Sequence, residues 1–183
     1  MIERPPEPGT PVAAAIGVLP LLLVLAACAA PLKPAAFETT IPAFDPVTFW
    51  TGHATSWGVI ENRGGGPTAI VTTDCNGTPD GAGGLHMIQT VTTDGKITHR
   101  DWHMRRLDPT HFSATANDMD GEAHGIASGR TFRWTWVWDR PAGLSVTMQQ
   151  WMYLADDGTL MNRTIVTKLG VRLAEVSEQF VRR

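Results

Sequence analysis

Two cysteines in 183 residues are too few for a disulfide framework or a cysteine-built zinc site. Cationic residues never run longer than the pairs Arg105-Arg106 and Arg182-Arg183, and the formal net charge is -3. A nucleic-acid partner needs clustered cations, so that class is set aside. The chain also lacks Gly-x-Ser-x-Gly, a P-loop glycine motif and His-Glu-x-x-His. Without a nucleophile beside a base, or a cofactor fingerprint, an enzyme is not the leading expectation and no cofactor is implied. Hydrophobic residues with helical period are scarce after Trp50, which removes helical bundles from consideration.

The long apolar segment is near the start. Ala13 to Ala27 is uninterrupted by charge and, at about 15 residues, is shorter than the roughly 20 needed to cross a bilayer. It ends in Leu25-Ala26-Ala27-Cys28, which resembles the bacterial lipobox: an apolar residue, two small residues for the peptidase, and the cysteine that takes the lipid. The expected organisation is a signal peptide over 1–27, a lipidated Cys28 with a flexible tether to residue 47, and one domain over 48–183. The first residues depart from a usual signal, since Arg4 is offset by Glu3 and Glu7. Two or three acyl chains would hold the protein to a membrane, where one chain anchors only marginally. Ala29 and Ala30, with no Asp after the cysteine, point by resemblance to sorting rules toward the periplasmic face of an outer membrane. With Cys28 acylated, Cys75 has no partner and reads as a small buried hydrophobe.

Pro31, Pro34, Pro42 and Pro46 disfavour regular structure and suit a semi-extended tether. Beyond Trp50 the chain alternates short β-type runs with turn residues. Strands are expected over 57–62, 68–74, 85–93, 97–107, 111–116, 122–128, 131–139, 144–154, 160–168 and 172–180. Asn76 to Gly84 reads as a turn cluster. Asp94-Gly95 is the strongest hairpin signal, and Asp156-Asp157-Gly158 marks another turn. The fold class is all-β: an antiparallel up-and-down barrel of roughly eight to ten strands, with a sandwich as the alternative.

Period-two alternation places Phe132, Trp134, Trp136 and Trp138 on one face of their strand. Such a ladder either fills a barrel interior or lines an apolar ligand cavity. On the 97–107 strand, His99, Asp101, His103 and Arg105 share one face, and Arg100, Trp102, Met104 and Arg106 the other. His99, Asp101 and His103 offer two imidazoles and a carboxylate, but a half-exposed strand shows the same pattern and no metal is assigned. Asp118 to Gly125 lacks the ligand spacing of a calcium loop and reads as a turn entering a strand. The candidate ligand-binding residues are Arg100, Trp102, Asp118, Trp134, Trp136, Trp151, Asn162 and Arg163.

Phe49-Trp50-Thr51-Gly52, Ser56-Trp57-Gly58-Val59-Ile60, Trp102, Ala116 to Ala123, Trp151-Met152-Tyr153-Leu154, Met161-Asn162-Arg163 and Lys168-Leu169-Gly170-Val171 occur in one order. Together they resemble the domain of unknown function 3833 family of bacterial lipoproteins, from about Phe49 to the C-terminus. The resemblance implies a lipid-anchored protein with a lipocalin-like β domain and carries no catalytic residues. Gly64-Gly65-Gly66-Pro67 and Asn76 to Gly84 are more glycine-rich than the family's pattern.

Three functions are thereby expected in order. The first is a binder or carrier of a small apolar or amphiphilic molecule. The second is a structural or assembly factor of the envelope acting through protein contacts. The third is a hydrolase-like enzyme using Arg100, Asp118, Asn162 and Arg163. Metabolic labelling with an alkyne palmitate tests the anchor: wild type is expected to take the label and Cys28→Ala to lose it, and an unlabelled wild type removes the lipoprotein assignment.

Overall fold

The computed structural model describes Met1, residues 32–140 and residues 143–183. The expected signal peptide beyond Met1, and Cys28 with it, lies outside the described residues. Ten strands follow in chain order: β1 (Gly52–Asn62), β2 (Pro67–Pro79), β3 (Leu85–Thr93), β4 (Lys96–Arg106), β5 (His111–Ala116), β6 (Met119–Ser128), β7 (Thr131–Trp138), β8 (Val146–Leu154), β9 (Leu160–Lys168) and β10 (Val171–Arg182). Each pairs antiparallel with its sequence neighbours, and β1 pairs with β10 from Ala54↔Arg182 to Asn62↔Ala174, closing the barrel. The sandwich alternative is thereby excluded.

Local chemistry sets the tight turns. Asp94 and Gly95 both take positive φ, 47° and 81°, as a two-residue hairpin turn requires. Strand lengths differ from expectation where pairing overrides propensity. β2 runs on through Asn76, Gly77, Thr78 and Pro79, because β3 pairs with it as far as Pro79↔Leu85. Gly77 is needed there: a Cβ would stand 1.9 Å from the Trp50 carbonyl oxygen. β6 begins at Met119, inside the expected turn, and its register shifts between Asp120 and His124.

The alternation of side chains gives every strand an inner face, and those faces interlock by size. β5 and β6 turn small residues inward, Ala114, Ala123, Gly125 and Ala127, and β7 lays Phe132 and Trp134 against them. A Cβ on Gly125 would meet Trp134 at 2.2 Å and Phe132 at 2.4 Å. Rings this large are accommodated because β6 offers only alanine methyls and, at Gly125, no side chain at all.

One end of the barrel is sealed. The short helix α1 (Pro46–Trp50) is started by Asp45, whose side chain accepts a hydrogen bond from the Thr48 N–H at 2.8 Å. Burial pushes the Asp45 carboxyl pKa up, but hydrogen bonds from Thr48 and Arg106 outweigh it and hold the value below normal. Phe44, Phe49 and Trp50 are buried, with Trp50 edge-on to Phe180 at 4.9 Å and Phe44 against Phe132 at 5.9 Å. Of the segment expected as a flexible tether over 28–47, the described part contains a 3-10 turn (Pro34–Phe37) and bonds to the barrel, with Phe37 edge-on to Tyr153 at 6.1 Å. Arg130 N–H donates to Thr40 Oγ1 at 3.0 Å and Phe44 N–H to the Gly129 carbonyl at 2.7 Å. Apolar burial of three aromatic rings outweighs the extended preference of the prolines.

Gly125→Ala is expected to destabilise the barrel by about 1–3 kcal/mol through overpacking against Trp134 and Phe132. A lowered urea midpoint with an unchanged slope is the readout.

Candidate functional site

Above that floor the barrel is hollow. A cavity of about 650 Å³ is lined by residues from β1 to β4 and from β7 to β10. Trp50, Met87, Met104, Phe132, Met152 and Phe180 form its floor, and Lys96, Thr98, Arg140 and Leu144 lie toward the opposite end, where β3 turns into β4 and β7 leads to β8. Of the two readings of the aromatic ladder, core filler and cavity wall, the geometry is that of a wall around space.

The wall has two chemistries. One side is aromatic: Trp102 stands edge-on to Trp136 at 5.3 Å and 6.3 Å from Trp134, while Trp134 follows Phe132 at 5.2 Å. Buried indoles need acceptors for their N–H groups. Trp136 Nε1 donates to Gln150 Oε1 at 2.8 Å and Trp102 Nε1 to Gln89 Oε1 at 3.1 Å. Toward the mouth, the Arg100 guanidinium lies 5.0 Å and 5.1 Å from the ring centres of Trp136 and Trp138, and Arg140 lies 5.0 Å from Trp138. Arg100 is also paired to Asp118, Nε to Oδ2 at 2.7 Å.

The other side is a polar belt at mid-depth. Glu178 accepts hydrogen bonds from Ser56 Oγ at 2.7 Å and Thr73 Oγ1 at 2.8 Å on one oxygen, and from Asn162 Nδ2 at 3.3 Å on the other. Asn162 Nδ2 also reaches Thr164 Oγ1 at 3.3 Å, which accepts from Gln150 Nε2 at 3.2 Å. A hydrogen-bonded chain thus runs from the Trp136 indole around the wall to Glu178. Among the described residues no cation stands within 4.0 Å of the Glu178 carboxylate. Cys75, facing inward beside Gln89, is fully buried, and burial raises its thiol pKa well above the usual range.

Of the eight expected ligand residues, Arg100, Trp102, Trp134, Trp136 and Asn162 line the cavity, and Asp118 touches it through Arg100. Trp151 and Arg163 are on the outer face instead. β8 turns Met148, Gln150 and Met152 inward, so Trp151 stacks outside on Tyr153 at 6.2 Å, with Arg133 5.8 Å from its ring centre. Arg163 points away from Asn162 and clamps Glu175 on the outer surface with Arg172; its hydrogen bond lowers the Glu175 pKa. The quartet Arg100, Asp118, Asn162 and Arg163 is therefore not assembled into one site. The belt residues Glu178, Ser56, Thr73, Gln89 and Gln150 were not foreseen, because they come from separate strands and acquire a common meaning only through register. His99 bonds Thr90 at 3.1 Å, while His103 and Asp101 share their corner with His86.

A family model described as "Protein of unknown function (DUF3833)" matches residues 22–182. No curated protein matches the chain. Among solved structures, the S-type phycobiliprotein lyase CPES from Guillardia theta is similar in fold, with a TM-score of 0.56 at 13% identity over 75% of this chain and 90% of that one. The likeness supports a lipocalin-like barrel.

A thiol that stays protonated and enclosed is a poor nucleophile. Cys75 is expected to resist maleimide in the native protein at pH 8 and to react fully in denaturant, with modification located by peptide mass spectrometry.

Proposed function

The chain belongs to the DUF3833 family of proteins of unknown function, and for this member we propose a binding role: a lipid-anchored envelope protein whose barrel holds one small amphiphilic molecule. The observation that carries this reading is the cavity of about 650 Å³, within the roughly 300–1,000 Å³ of small-molecule sites. Its size leaves space for a guest that a packed core would exclude. Its lining, mostly apolar with a few placed polar groups, is the composition such sites use.

The two walls describe the guest. A flat or hydrocarbon body would lie against Trp102, Trp134 and Trp136, where ring faces supply dispersion contact. A polar edge carrying donors would face Glu178, whose carboxylate has lone pairs beyond its three present donors. An acidic group would sit toward the mouth, near Arg100, Arg140 and Lys96. From the neighbouring lyase the proposal takes only the shape of the barrel.

The anchoring half of the proposal rests on the resemblance of Leu25-Ala26-Ala27-Cys28 to a lipobox, with the periplasmic face of an outer membrane as the proposed site. Attachment would keep a carrier close to the amphiphiles it collects without requiring an apolar outer surface. An assembly factor is the weaker reading, since an envelope scaffold has no use for a hollow interior.

Native mass spectrometry of the protein from its own host is expected to show a small co-purifying molecule. In parallel, an anionic naphthalene probe is expected to saturate at one per chain, with Val91→Trp, which fills the cavity, weakening it by about tenfold or more. No co-purifying molecule together with no saturable, Val91-sensitive probe binding would sink the carrier.

A further inference from the structure

The outer face of the barrel carries a second constellation, independent of the cavity. His86 on β3 and His103 on β4 are direct cross-strand partners. Side chains opposite one another on the same face of an antiparallel pair have Cβ atoms only about 5 Å apart. Asp101 precedes His103 by two residues and therefore projects from the same face. The three come together as the sole group of three or more His, Cys, Asp or Glu among the described residues whose donor atoms lie within 4.8 Å of one another.

Both imidazoles aim the same atom at the same place. His86 Nε2 is 2.6 Å and His103 Nε2 is 3.4 Å from Asp101 Oδ1. The rings lie nearly parallel, 13° apart with centroids separated by 4.6 Å. Two ring nitrogens converge on one carboxylate oxygen, and once Nε2 of each ring is free of its proton they form with it a donor set of two nitrogens and one oxygen. A small rotation of each ring would set them around a common centre. The side chains are 44%, 63% and 47% exposed for His86, His103 and Asp101, so an ion held there keeps water on its open side.

From this geometry we propose that His86, Asp101 and His103 form a binding site for a divalent transition ion of the zinc and copper class. Two imidazoles and a carboxylate are the ligand set of many open zinc sites, with water in the remaining position. Imidazole favours zinc, copper and nickel over calcium or magnesium, which prefer all-oxygen cages. Ligation requires both rings to be unprotonated at Nε2, so binding displaces any proton held between a ring and Asp101. His99 is not a member. It is on the same face of β4 but two residues before Asp101, where it is hydrogen-bonded to its cross-strand partner Thr90.

The test is isothermal titration of the tag-free full chain with zinc alone, repeated with copper, which should bind more tightly. One ion per chain is expected to saturate. His86→Gln and His103→Gln should each weaken binding by ~10-fold or more, at least the loss that follows removal of a mere outer-shell partner. His99→Gln should leave it unchanged. Far-UV circular dichroism verifies that each variant keeps its barrel, and the copper-loaded wild type should show nitrogen splitting in its electron paramagnetic resonance spectrum that diminishes in His86→Gln. Absence of saturable binding, or a loss in His99→Gln with none in His86→Gln, overturns the site.

Discussion

Everything in this molecule depends on the pairing of its first strand with its last. Nine residue pairs, Ala54↔Arg182 to Asn62↔Ala174, turn a ten-strand ribbon into a ring. An open sheet would leave two rows of unpaired backbone groups as templates for aggregation. The ring satisfies them and divides every strand into an inner and an outer face. Barrel diameter grows with strand number, and about eight strands already approach the width that side chains can fill. Ten strands enclose more than side chains fill, which is why bulky indoles from β7 and β4 stand against glycine and alanine on β5 and β6 and space still remains.

The two ends then receive different treatments. At one, Asp45 starts a helix of five residues that drops Trp50 onto Phe180 and packs Phe49 against Trp50 and Phe44, so apolar burial closes the barrel with a few side chains. At the other, Lys96, Arg100 and Arg140 keep cations near the opening, two of them laid over indole rings. Arg100 can sit inside the wall because Asp118 balances its charge and Trp136 its flat face. Desolvating a lone guanidinium there would be costly.

How much of this is legible in the sequence varies by residue and for physical reasons. The aromatic ladder of β7 and the inward Arg100-Trp102 face follow from period-two alternation alone, and Asp94-Gly95 announces its hairpin because few other dipeptides tolerate two positive φ angles. The far half of β2 does not read as strand: asparagine, glycine and proline there follow partner strands and the Trp50 carbonyl against their own propensity. The proline-rich segment reads as tether because its aromatic residues have no visible partner until the barrel exists. On β8 hydrophobicity misleads, since Trp151 and Tyr153 stack outside while Gln150 turns in to serve an indole. The corner formed by His86 with His103, and the belt around Glu178, combine residues from different strands. Register decides both, and register is a property of the closed ring.

The belt also has a bearing on selectivity. Its members already hold one another, from the Trp136 indole through Gln150, Thr164 and Asn162 to Glu178, so their orientations exist before anything enters. A pure hydrocarbon pushed to that depth would strip water from a carboxylate and return nothing, a loss that apolar contact with the opposite wall has to overcome. A molecule presenting donors at the same height would replace that water group for group. A barrel that binds as proposed would then discriminate at its waist: greasy molecules of suitable size would be screened out by what they fail to offer, and the fixed polar ring would act as a filter whose mesh is chemical, not steric.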